Sequence, residues 1–219
     1  MRRAILYTVQ FRYVIEQVFT NSAEVIRLCN AKNIPWKNPA DINDAVADFN
    51  SVDKVVVSIN NGQIFRSNLL SLPGYRFYNI HNGILPAYRG LPEICIIYAI
   101  LNKEKSYGIS LHSIDAGIDT GICHAIKEFP ISAEDTFESV MQRSLEYCDL
   151  VFKENLHKIM TNRLEQLMAY NLRSKLYTYR DLDRLENVYD TVLVSRVLSF
   201  GLYATWFQEV LERLRSKIV

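Results

Sequence analysis

Three polar residues carry the chemistry this chain could do: Asn79, His81 and Asp119. Asn79 and His81 stand two apart in Tyr78-Asn79-Ile80-His81, so a strand over 77–81 sends both side chains to one face. A carboxamide N–H and an imidazole N–H on one face can aim at a single developing oxyanion. Asp119 lies in the turn Gly117-Ile118-Asp119-Thr120-Gly121. A carboxylate there could orient His81 and help carry a proton away from an attacking amine. The alternative is structural: an Asn and a His at a strand end can simply satisfy a turn.

Those side chains need elements to position them. The distance from His81 to Asp119 predicts neighbouring parallel strands joined by a helix. Lys54 to Asn60 is a nearly continuous apolar run, as a buried parallel strand requires, and Asn61-Gly62 ends it. Pro92 suits a first helical position, with Glu93 favourable beside it and Ile94, Ile97, Tyr98 and Leu101 as the apolar face. Tyr107 to Ile114 and Gly121 to Phe129 read as further strands. Ser132 with Asp135 three residues on predicts a capping box opening a helix that runs to about Met160.

The N-terminal part predicts a first strand over Ala4 to Thr8 and a helix carrying Phe11, Val14, Ile15 and Val18 on one stripe. Further helices are predicted over 21–32 and 39–49, the latter with Asp41 near its start. The first glycine in the chain is Gly62, which excludes a Gly-x-Gly-x-x-Gly turn or a phosphate loop after the first strand. From Thr161 the texture changes to aromatic and mixed-charge. Trp206, Val210, Leu214 and Ile218 recur at steps of four, which predicts an amphipathic helix.

Composition narrows the function class. The chain has 219 residues, 49% hydrophobic and 22% charged, enough for one sizeable core with a small appendage. A net charge of +1 leaves no electrostatic footprint for nucleic acid or for an anionic membrane surface. Cys29, Cys95, Cys123 and Cys148 lack metal-ligand spacing and read as buried thiols of a reducing compartment. His81, His112, Asp115 and His124 have suitable ligand types but irregular spacing, so no metal is expected. Met1-Arg2-Arg3 leads into only a short apolar run, and the uncharged stretch Val197 to Gln208 falls short of the roughly 20 residues a membrane helix needs. A cytoplasmic location is the expectation.

The order Asn-x-His, Leu-Pro-x-Tyr-Arg-Gly, helix, Tyr-Gly-x-Ser-x-His, Asp-x-Gly-x-Asp-Thr-Gly resembles the folate-dependent formyltransferases over Lys54 to about Glu128. These include enzymes acting on glycinamide ribonucleotide, on methionyl-tRNA and on amino sugars. The resemblance implies an α/β fold, a Rossmann-like mostly parallel sheet with helices on both faces and a small C-terminal extension. It implies a catalytic domain over residues 1–160, with a shortened N-terminal layer, and an extension over 161–219. It makes Asn79, His81 and Asp119 the catalytic triad and 10-formyltetrahydrofolate the formyl donor. Gly62, Gln63 and Ile64 would meet the pteridine, largely through backbone groups. Asp115 would either shape its turn or meet the pteridine as well. The stretch Asn82-Gly83-Ile84-Leu85-Pro86-Ala87-Tyr88-Arg89-Gly90 looks most like the sugar N-formyltransferases. Tyr88, Arg89, Gly90, Pro92, Glu93, Tyr177 and Tyr179 would then lie near a nucleotide-linked amino sugar, with Arg89 either pairing with phosphate or acting as a helix-entry residue. A methionyl-tRNA enzyme would carry a further domain and a basic face. The resemblance also implies a homodimer through the extension. A domain that kept the fold but lost catalysis is the alternative.

Overall fold

The computed structural model describes residues 1–49, 54–59, 61–167, 173–185 and 190–217. The chain opens with α1 (Arg2–Gln10), not the expected strand. The apolar stripe expected next does not form: Phe11 and Val14 are exposed, and Val18–Phe19 is a two-residue strand, β1. α2 (Ala23–Ala31) follows as predicted, with Ser22 Oγ accepting from Val25 N as its cap. β2 (Trp36–Lys37) pairs in parallel with β1, apart from the main sheet. The helix expected over 39–49 is two single 3₁₀ turns, Ile42–Asp44 and Val46–Asp48, and Asp41 caps the first through Asn43 N.

The main sheet begins with β3 (Lys54–Ile59) and runs through α3 (Ser67–Leu70) into β4 (Tyr75–His81), parallel to β3 in the register Ser58 to Asn79. Asn60, expected to close β3, lies outside the described residues. β3 is an edge strand and mostly half-buried, although its composition suits a buried one. β5 (Arg89–Gly90) and α4 (Pro92–Leu101) come next. β6 (Ser106–Ser113) and β7 (Cys123–Pro130) complete the order β3-β4-β6-β7. Both pair antiparallel, so the neighbours of the Asp119 turn are not the parallel pair expected from spacing. The sheet is mixed, α/β in class, with helices on both faces.

α5 (Phe137–Met160) starts later than the predicted capping box. Its cap is Thr136, and Ser139 Oγ accepts from Thr136 N at 2.9 Å. Asp135 serves the turn before it, accepting from Ser132 N at 2.7 Å and pairing with Arg143 at 2.8 Å. α5 lays Cys148, Val151, Phe152, Leu156 and Ile159 on the face of the sheet that carries Tyr78, Ile80, Ile109 and Leu111. Each large apolar side chain buried there contributes about 1.5–3 kcal/mol. The opposite face packs Phe77 against Phe65, Leu69 and Ile42. Since Phe77, Asn79 and His81 alternate with Tyr78 and Ile80, the polar pair points away from α5.

The C-terminal segment carries β8 (Leu176–Tyr177), α6 (Tyr179–Asp183), α7 (Thr191–Leu198) and α8 (Gln208–Arg215). It shares one core with α4 and α5, built from Ile94, Ile97, Phe137, Val140, Leu182, Val197, Phe200 and Leu214. α8 buries Val210, Leu211 and Leu214. Trp206, expected on that stripe, precedes the helix and is 78% exposed. Ile218 lies outside the described residues. Among the described residues no helix is long and apolar enough to cross a membrane, and none of the cysteines is bridged.

Candidate active site

The three residues singled out by spacing converge at the carboxyl end of β4. His81 is buried, with Nδ1 3.4 Å from Asp119 Oδ2. Its Nε2 lies 2.6 Å from the main-chain oxygen of Tyr88, which can only accept, so Nε2 carries the proton. A Cβ at Gly83 would sit 2.3 Å from that oxygen and 2.6 Å from His81 Nε2, so only glycine permits the contact. Asn79 Nδ2 is 3.5 Å from Asp119 Oδ1.

The strand pairing adds a residue that spacing had left as an ordinary strand histidine. Asn79 faces His112 across the antiparallel β4–β6 register, and His81 faces Ser110. His112 Nε2 is 3.2 Å from Asn79 Nδ2 and 3.4 Å from Asp119 Oδ1, while its Nδ1 is 2.8 Å from Ser113 O. In the neutral ring Nδ1–H donates to Ser113 and Nε2 accepts from Asn79; a second proton on Nε2 would turn to Asp119. Asn79 Nδ2, His112 Nε2 and Asp119 Oδ1 form a nearly equilateral triangle. The amide of Asn79 is thus held within donating distance of both His112 and Asp119. The sequence signal for His112 was period two: Ser110 and His112 alternate with the core residues Ile109 and Leu111.

Asp119 adopts a left-handed backbone, φ 51°, in its turn. Gly90 N donates to its Oδ2 at 2.9 Å. Burial pushes its carboxyl up, but the contact from His112, the charge of His81 and the Gly90 amide outweigh it and bring the pKa down to about 2. Asp119 is therefore ionised at neutral pH. Burial lowers the pKa of His81 more than Asp119 and Tyr88 O raise it, which favours the neutral ring. The one N–H of the neutral His81 ring goes to Tyr88 O, and its bare Nδ1 faces the ionised Asp119, so the expected aim of His81 at an oxyanion is not what this arrangement offers.

The other expected site residues divide. Gly62 and Ile64 are exposed at the carboxyl end of β3. Gln63 is not free: its Oε1 accepts from Ile42 N at 2.6 Å, its Nε2 donates to Ala40 O at 3.2 Å, and Asn61 binds its main chain. Asp115 Oδ1 accepts from Thr120 Oγ1 at 2.6 Å and Gly117 N at 3.1 Å, shaping its turn. Arg89 Nε donates to Ile118 O at 2.8 Å and Nη1 to Ser174 Oγ at 2.9 Å, neither a carboxylate. Tyr88 and Tyr177 are buried and stacked on each other, so neither ring offers a substrate a surface. Glu93 is also buried, and burial raises its carboxyl pKa. Pro92 begins α4, and Tyr179 lies half-buried under the guanidinium of Arg213 at 5.1 Å. Among the described residues no cluster of His, Cys, Asp and Glu could hold a metal ion.

Residues 14–155, well over half of the chain and inclusive of the whole triad, match the formyl transferase family. The chain belongs to the formyl transferase family. Within that family it is 35% identical over 121 residues to the methionyl-tRNA formyltransferase of Pelotomaculum thermopropionicum, covering 53% of this chain and 37% of that protein. To the methionyl-tRNA formyltransferase of Thermotoga neapolitana it is 29% identical over 161 residues, covering 72% of this chain and 50% of that one. The chain thus spans half or less of the length of these curated relatives. Among solved structures it is similar to a sugar N-formyltransferase from Shewanella, at 25% identity and TM-score 0.68, over 85% of this chain and 76% of that one. It also shares the fold of the Helicobacter canadensis N-formyltransferase complexed with folinic acid and dTDP-3-aminofucose, at 23% identity and TM-score 0.70, over 82% and 67% of the two chains.

Proposed function

We propose that this chain moves a formyl group from 10-formyltetrahydrofolate to the amine of a nucleotide-linked amino sugar, a dTDP sugar being the first to test. The observation that carries the reading is the convergence of Asn79, His81 and Asp119 within 3.5 Å contacts in a formyl transferase family member. In the reaction the amine nitrogen bonds to the formyl carbon, the bond from that carbon to the folate N10 breaks, and one proton passes from the amine to N10. The carboxamide N–H of Asn79 stabilises the oxyanion. Ionised Asp119 holds the proton leaving the amine, and neutral His81 can share it through Nδ1, becoming an imidazolium held between Asp119 and Tyr88 O. The folate supplies the activated formyl group, and exposed Gly62 and Ile64 offer it surface beside the triad. Arg89, Gly90, Pro92 and Tyr179 are the acceptor-side residues that keep some exposure.

The sugar acceptor is supported by the likeness to sugar N-formyltransferases over most of the chain. A second reading, methionyl-tRNA as acceptor, is favoured by the more identical relatives. The net charge of +1 weighs against a polyanionic partner. The test is a mass-spectrometric transfer assay with 10-formyltetrahydrofolate and a panel of dTDP-, UDP- and GDP-linked amino sugars, methionyl-tRNA and glycinamide ribonucleotide. A formylated sugar supports the proposal and names the acceptor. Formylated methionyl-tRNA with untouched sugars overturns it. Folate binding by calorimetry with no product on any acceptor points to a non-catalytic binder. A homodimer through the C-terminal segment belongs to the same reading, since Leu202 and Trp206 there are 85% and 78% exposed. Light scattering of Trp206→Ser should then show a shift toward monomer.

A further inference from the structure

One three-residue segment holds both ionisable members of the triad. Tyr88 O accepts from His81 Nε2, and Gly90 N donates to Asp119 Oδ2. That segment is itself held by a stretch far along the chain. β8 lies parallel to β5, with Arg89 opposite Leu176 and Gly90 opposite Tyr177. Arg89 N donates to Lys175 O at 3.0 Å, Leu91 N to Tyr177 O at 3.0 Å, and Lys175 N to Pro86 O at 3.1 Å. The Tyr177 ring stacks on Tyr88 with centroids 5.3 Å apart and planes 11° apart, with Tyr98 at 4.8 Å and the Lys175 ammonium at 5.3 Å as further neighbours. Gly90 has φ +99°, and a Cβ there would stand 2.3 Å from Tyr177 O, so the close approach requires glycine.

Tyr177 thus meets Gly90 through its main chain and Tyr88 through its ring, the two residues that hold Asp119 and His81. We propose that Tyr177 is a positioning residue for the transfer step, setting the Tyr88–Gly90 segment that orients His81 and Asp119, and not a substrate contact. Its ring is buried against Tyr88 and Tyr98. A catalytic group displaced by about 1 Å can lose on the order of 100-fold in rate, so a clamp two contacts away can govern kcat while leaving binding alone. The kinetic part of the proposal rests on the formyl-transfer reading; the structural part does not.

The test pairs kinetics with ring-nitrogen NMR on protein labelled with ¹⁵N-histidine. The chain has 4 histidines. His124, held by Ser113 and the Glu165 carbonyl, is the internal reference. Tyr177→Leu keeps apolar bulk but removes the stack. It should shift the His81 ring signals, leave those of His124, lower kcat about tenfold or more with KM within about twofold, and move the acid limb of the pH profile. Tyr177→Phe should restore the His81 signals, kcat and the acid limb. Leu182→Ala, wholly buried in α6 but off β8, should lower Tm without moving kcat or the His81 signals. If Tyr177→Leu does not fold, Gly90→Ala disturbs the same contact from the other side and should shift His81 in the same way. Unmoved His81 signals and kcat in a folded variant overturn the proposal, as does an equal shift in Leu182→Ala. If the His81 signals move in the Tyr177 variant while even the unmodified protein formylates no acceptor, the positioning role stands and the formyl-transfer reading falls.

Discussion

The N-terminal layer and the triad-bearing sheet are built to different standards. Residues 1–37 form a two-stranded parallel pair of two-residue strands, with Leu6, Val9, Phe11 and Val14 between 39% and 81% exposed. Around α4 and β6 the packing closes: Ile94, Cys95, Ile96, Ile97, Ala99 and Ile100 of α4 are all 0% exposed, as are Tyr107, Ile109 and Leu111 of β6. The polar face of β4 and β6 is as tightly organised, with His81, Ser110 and His112 buried and hydrogen-bonded. The difference teaches where precision is needed. Donors and acceptors must be held to a fraction of an ångström where they share a proton, and a dense core under them supplies that stiffness. A layer remote from the triad can leave apolar surface uncovered at little cost.

Substitutions can break or sharpen this contrast. The largest effects belong to the triad. Asn79→Ala and Asp119→Asn should each lower kcat by about 100-fold or more, checked by transfer kinetics on the folded variants. Unchanged kcat in either would remove that residue from the mechanism. His112→Ala should cost about tenfold, because Asn79 loses the partner that fixes its amide. A His112→Ala variant as fast as the parent would make the histidine a packing residue only.

The next effect is on stability. Asp135 sits in the dense half, with its carboxyl lowered to about 2: burial raises it, but Arg143, Ser132 N and Ser139 Oγ lower it further. Asp135→Asn should cost about 2 kcal/mol in denaturant unfolding at neutral pH, with kcat at 25 °C unchanged. A folded-state pKa below the unfolded value means this contribution is present above roughly pH 4 and is lost as pH falls toward about 2. Asp119 follows the same sign, and lowered His81 makes the native state poorer at binding a proton, so stability also declines as pH drops below about 6.5. A flat stability profile from pH 7 to 3 would contradict both assignments. The smallest effect lies in the N-terminal layer: Val14→Ser should change stability by less than about 0.5 kcal/mol and leave kcat alone. A larger loss would mean that this surface is covered in the working protein.

The same contrast explains how legible each half was. Ala4 to Thr8 is a short apolar run that periodicity cannot assign, and α1 buries the adjacent Ala4 and Ile5 in two different clusters, one against the sheet and one against α2. The stripe Phe11, Val14, Ile15, Val18 had the right spacing, but only Ile15 and Val18 reach a core while Phe11 and Val14 stay exposed. In the dense half, burial enforces the pattern: β3, β4, α4, β6 and β7 lie where alternation, Pro92 and the glycine turns predicted. Asp135 accepts from Ser132 N as the capping box expected, yet α5 starts only after Thr136, where Thr136 and Ser139 form their own capping box.

Local sequence by itself determined that Asn79 and His81 share one face of a strand, because side chains alternate with a period of two whatever the strand pairs with. It also determined the Asp119 turn and the start of α4 at Pro92, since Gly and Pro act on their own backbone angles. Tertiary structure decided the rest. The antiparallel direction of β6 set His112 beside Asn79, the approach of Tyr88 O occupied the His81 nitrogen, and β8 closed over Gly90 from 87 positions downstream in the β5–β8 register. Pairing direction and register are settled between segments distant in the chain, and the local pattern of one segment carries no record of which partner its hydrogen bonds will find.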